Sequence, residues 1–91
     1  MAPYDPPNAH YAHIDVSMYD DSMILCMIGK GGKGFYKVTD WLNMDYVWFD
    51  SESKRIELWG PYDSFANGAR QKLENSLDVF SKKYSIKNND S

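Results

Sequence analysis

Between residues 27 and 34 the chain reads Met27-Ile28-Gly29-Lys30-Gly31-Gly32-Lys33-Gly34, and this run constrains the fold more than any other segment. Glycine weakens a helix by about 1 kcal/mol per residue relative to alanine, so a cluster of it between two helix-like stretches marks a tight connection with exposed backbone. Bare amides in such a turn can approach an anion closely, and the start of a following helix adds partial positive charge. Lys30 and Lys33 add full charge beside them.

Two nucleotide-binding motifs compete for these glycines. Gly29, Gly31 and Gly34 satisfy Gly-x-Gly-x-x-Gly, but that fingerprint has to follow a strand inside a larger βαβ unit, and the residues before Gly29 read as helix. The phosphate-loop pattern fails because Phe35 stands where a lysine must follow Gly34. A lysine-bearing turn without any ligand is the plain alternative.

With its flanks, the segment Ile24 to Val38 resembles the core of the KH domain, a module that binds single-stranded nucleic acid. Met27 and Ile28 supply the apolar pair of that family, Gly29-Lys30-Gly31-Gly32 its Gly-x-x-Gly loop, and Phe35 and Val38 the aliphatic positions of the next helix. The likeness covers roughly residues 11 to 80.

The order of elements read from the residues points the same way. His13 to Met18 alternates as a half-buried strand, and Asp20, Asp21 and Ser22 offer capping oxygens to a short helix over Met23 to Ile28. Phe35, Val38, Trp41 and Leu42 predict a second helix from Lys33 to Leu42, stopped at Asn43. Tyr46-Val47-Trp48-Phe49 and Arg55-Ile56-Glu57-Leu58-Trp59 read as two strands of a hairpin around a polar turn. After Gly60-Pro61, a last helix carries Phe65, Ala69, Leu73, Leu77, Phe80 and Tyr84 on one stripe, with Gly68 inside it. The expected fold is α+β, β-α-α-β-β-α. Its three-stranded antiparallel sheet is packed on one face by three helices, the type I KH-like arrangement. Residues 10–84 would form the domain, with a flexible lead-in over 1–9 around Pro3, Pro6 and Pro7 and a flexible polar tail over 85–91.

At 91 residues the chain is one domain, and one of this size buries only about 60% of its unfolded surface. The single Cys26 precludes an internal disulfide and reads as a small buried residue in a reducing compartment. His10, His13 and that cysteine are too few for a structural zinc site, and no cofactor is expected. The sequence predicts a soluble, intracellular protein, cytoplasmic or nuclear, without a bilayer span or signal peptide. Net charge is −3, against a general nucleic-acid coat. Yet Lys30, Lys33 and Lys37 lie in a stretch from Ser22 to Thr39 that holds no carboxylate. Paired acids such as Asp20 with Asp21, or Asp50 with Glu52, read as caps and loops, so no catalysis is expected.

The resemblance implies a groove for about four nucleotides of single-stranded RNA or DNA, its backbone clamped by the glycine loop. Gly29, Lys30, Gly31 and Gly32 would meet phosphates and sugars, and Lys33 and Lys37 would extend the positive wall. Leu25 and Ile28 would line the groove from the first helix, Phe35 and Val38 from the second. Tyr46 and Trp48 would face it from the sheet, as core or as stacking rings, while Lys54 and Arg55 would close the far rim or remain solvated. Leu25 stands where many members have glycine, and Tyr46 and Trp48 where aliphatics are usual, which implies a narrower, more aromatic groove. In this register Val47, Phe49 and Trp59 point away from the helices. That exposed face supports the alternative reading, a degenerate KH fold serving as a protein-interaction or homodimerisation module.

Overall fold

The computed structural model describes residues 10–89, with side chains through residue 85; the expected lead-in over 1–9 lies outside them. The chain forms β1 (His10–Asp15), α1 (Asp21–Ile28), α2 (Val38–Trp41), β2 (Tyr46–Asp50), β3 (Arg55–Gly60), α3 (Tyr62–Ala66) and α4 (Ala69–Asn89). The strands make one antiparallel sheet in the order β1-β3-β2. This is a small α+β domain with a three-stranded sheet and four helices.

The central strand phases the sheet. In β3 the alternation is unambiguous, since Ile56 and Leu58 are apolar while Arg55 and Glu57 are charged. Residues opposite one another across an antiparallel pair share a face. Val47 lies opposite Leu58 and Phe49 opposite Ile56, so both turn inward, and both are buried. This corrects the expected register: Tyr46 and Trp48 face outward, half-buried, and of the three residues expected there only Trp59 does. The reason is chemical. All four residues of Tyr46 to Phe49 favour strands, but Val47 and Phe49 carry no group that needs water, whereas the tyrosine hydroxyl and the indole N–H do.

The core joins the inner sheet face to α1 and α4. Met23, Ile24, Met27 and Ile28 form the buried stripe of α1, and Leu73 and Leu77, one helical turn apart, that of α4. Each such aliphatic contributes about 1.5–3 kcal/mol on full burial. The same stripe leaves Leu25 and Cys26 on the outward side of α1, so the thiol is exposed, not buried as expected.

Four boundaries differ from the sequence reading. β1 begins three residues early, because its six residues pair along the whole of β3, from His10 opposite Gly60 to Asp15 opposite Arg55. The last helix is broken at Gly68, whose φ of +85° ends α3 and lets α4 start in a new direction. α4 continues to Asn89, through most of the segment expected to be a tail. The second helix shrinks from the expected ten residues to four.

That shortening has a hydrogen-bond cause. The last carbonyls of a helix lack partners within it, and here the following segment supplies them. The Gly34, Phe35 and Tyr36 amides donate to Ile28, Cys26 and Met27 at 2.7, 3.4 and 2.8 Å. Residues 34–36 therefore run back along the end of α1 instead of coiling. At the opposite end of α1, Asp20 occupies the N-cap without a side-chain cap bond. Asp21 pairs with the Lys54 ammonium at 2.6 Å, so Lys54 ties the hairpin turn to α1.

Candidate nucleic-acid interface

The glycine corner is assembled by backbone packing. Gly29 caps α1 with φ +71° and donates its N–H to the Leu25 carbonyl. Gly34 lies directly against the Ile28–Gly29 backbone, with no room for a side chain. Gly32, at φ +82°, is buried; a Cβ there would stand 2.8 Å from both Val47 Cβ and Thr39 Cγ2. The Thr39 hydroxyl and amide both donate to the Gly32 carbonyl at 3.3 Å. The Phe49 amide donates to the Lys30 carbonyl at 3.2 Å, which seats the turn on the β2 edge of the sheet.

These contacts revise the expected groove. Ile28 and Val38 are wholly buried in the core and line nothing. Tyr46 and Trp48 lie on the other side of the sheet from the core, and Arg55 is on that outer face as well, its Nε donating to the Ser53 hydroxyl at 3.3 Å. Gly29 and Gly32 serve the chain's own packing, and the Phe49–Lys30 bond occupies the gap between turn and strand.

What remains exposed is compact in sequence and chemically coherent. Lys30, Gly31, Lys33 and Lys37 are all exposed, and a Cβ added at Gly31 would meet nothing within 4 Å. Neither Lys33 nor Lys37 has an ion-pair partner among the described residues. Phe35 is 76% exposed, thrown outward by the return of 34–36 along α1, and Leu25 is 43% exposed on the neighbouring helix.

The sequence reading missed the rings that support Phe35. Its centroid is 5.6 Å from Tyr36 and 6.3 Å from Phe80; Tyr36 in turn meets Phe80 edge-on at 5.6 Å and Trp41 at 6.1 Å. Phe80 belongs to the apolar stripe of α4, which reads as core, and only the fold brings it beneath Phe35. Ring geometry of this kind adds about 0.5–1.5 kcal/mol per pair beyond area burial.

The outer sheet face forms a second surface, a grid of three rows fixed by the register. Tyr11, Trp59 and Tyr46 make the first row, His13, Glu57 and Trp48 the second, and Asp15, Arg55 and Asp50 the third. Tyr11 and Trp59 pack at 4.6 Å, and Tyr46 and Trp48 stack at 6.2 Å with planes 14° apart. The Lys30 ammonium stands 5.4 Å from the Trp48 ring centroid. Burial and then the nearby Glu57 charge push the Tyr11 and Tyr46 hydroxyls up from the ordinary phenol value. Asp15 is held below the ordinary carboxylate value by the Ser17 amide. Asp50 is held down by the Ser53 hydroxyl and the Glu52 and Ser53 amides.

A hollow of about 180 Å³ lies among Trp41, Asn43, Asp63, Ser64, Asn67 and Lys72, smaller than the roughly 300 Å³ at which small-molecule pockets begin. Among the described residues no helix is long and apolar enough to cross a membrane. The chain matches no protein-family model, no curated protein and no solved structure.

Proposed function

We propose that this is a KH-like binding domain that takes a short single strand of RNA or DNA at the cationic corner, without cofactor and without catalysis. The observation that carries the reading is Phe35, 76% exposed on a turn segment in which Lys30, Gly31, Lys33 and Lys37 are exposed as well. An exposed ring on a segment that carries the unpaired Lys33 and Lys37 ammonium groups is a combination a single strand uses, with bases stacking at about 1–3 kcal/mol each while phosphates meet the charges. The order of elements and the β1-β3-β2 sheet agree with the KH resemblance. The contact surface differs from that family's groove: it is the outward side of the turn, with Lys30, Gly31, Lys33, Phe35, Lys37 and Leu25 in contact.

Titration of labelled single-stranded RNA and DNA pools tests this. Lys33→Asp with Lys37→Asp removes two cations, and Phe35→Ala removes the ring. Loss of about 5- to 150-fold in affinity is expected for Phe35→Ala. With about three phosphates neutralised, the log–log salt slope of the wild type should lie near −2. Unchanged binding in both variants, or no binding by the folded wild type to any pool, overturns the proposal. The interaction-module reading draws on a different surface, the aromatic outer sheet face.

A further inference from the structure

The outer sheet face gathers rings around one carboxylate. Glu57 is the centre of the grid, opposite His13 on β1 and Trp48 on β2, with Trp59 two residues along its own strand and Tyr11 and Tyr46 beside that tryptophan. Its carboxylate makes no hydrogen bond or ion pair among the described residues. The other two carboxylates of the face are engaged locally, Asp15 by the Ser17 amide and Asp50 by the amides of its own turn. Among the described residues the Glu57 carboxylate alone of the three is left without a donor, and the third row adds Asp15 and Asp50 against Arg55, with Lys30 the other side-chain ammonium reaching this face.

Rings and carboxylate together select the charge of an occupant. The negative faces of indole and phenol rings attract a cation, most strongly at tryptophan, and the chain's own Lys30 ammonium already rests over Trp48. A polyanion would have to meet Glu57, Asp15 and Asp50. Between the two protein cations, guanidinium fits better, because it is planar, sheds water more easily, stacks on rings and forks onto a carboxylate.

We infer that the outer sheet face docks an arginine of a partner protein, its guanidinium stacked on Trp48 or Trp59 and forked onto Glu57. The inference rests on the interaction-module reading and shares one residue, Lys30, with the glycine corner. The test is an array of twelve-residue peptides of otherwise randomised sequence with a fixed central Arg, Lys, Gln or Glu, probed with wild type, Glu57→Gln and Trp48→Ala, each checked for an unchanged fold by circular dichroism. Arginine-centred peptides should be retained roughly tenfold over glutamine-centred ones, and Glu57→Gln should abolish that preference. Titration of the best arginine peptide should shift the amide resonances of Trp48, Glu57 and Trp59. Retention without regard to the central residue, with shifts on this face, keeps the interaction reading and overturns the arginine claim. Absence of any retained peptide overturns both. Shifts of these amides by single-stranded RNA instead, or a concentration-dependent dimer that shields the rings, would likewise overturn it.

Discussion

On the inner side of the sheet Ile56 and Leu58 are fully buried in one cluster with Ile24 and Leu73, while their chain neighbours Arg55, Glu57 and Trp59 stay half-exposed on the outer side. Aromatic content does not separate the two faces, since Phe49 is inside and Trp48 outside. On β2 what separates them is whether a side chain has a polar tip, while on β3 Trp59 faces outward with its indole N–H occluded. The inner face is therefore a stability surface, and the outer face keeps its rings at the boundary with water, where they can meet another molecule.

The sharpest way to break this contrast is to cut adjacent residues on opposite faces. Leu58→Ala should lower unfolding free energy by about 2–5 kcal/mol in urea titrations. Trp59→Phe, which removes an occluded indole N–H that has no acceptor among the described residues, should move it by no more than about 0.5 kcal/mol. Equal losses would erase the distinction.

The glycine corner allows the same comparison at smaller scale. Gly32→Ala should cost about 1–3 kcal/mol, because the added Cβ meets Val47 and Thr39 on a left-handed backbone. Gly31→Ala, in open space, should stay within about 0.5 kcal/mol. Smaller again is the tie between hairpin and helix. The Lys54–Asp21 pair is substantially solvated, so Lys54→Ala should cost less than about 1 kcal/mol, and the difference from wild type should shrink as salt rises in paired thermal melts.

The least effect concerns Asp50 at the solvated end of the outer face. Its carboxyl lies below the ordinary value because of hydrogen bonds from Ser53 and Glu52. A lowered folded-state value gives stability that is present above the ordinary carboxylate range and is lost as pH falls through the lowered value. Asp50→Asn should accordingly flatten the acid limb of the thermal midpoint against pH, and an unchanged slope would show that the turn does not sense that charge.

The hairpin was legible because Arg55 to Trp59 alternates charge with aliphatic carbon and the polar residues before it can only turn. The facing of β2 was not, because Tyr46 to Phe49 has no polar residue to mark the outside, and its phase is inherited from β3 through pairing. The glycine turn was visible as a turn, but its docking was not. Backbone amides of 34–36 satisfying α1 carbonyls, and Phe49 reaching Lys30, leave no trace in side-chain periodicity. Phe35 was singled out, yet as a groove-lining helix residue, when its exposure follows from the helix not forming there.

The seating of the turn against Phe49 also governs how the sheet can grow. A border strand with free amides invites a foreign strand to add itself. Here the Lys30 carbonyl already takes the Phe49 amide and Gly32 presses on Val47, so the turn shutters the β2 border against strand capture.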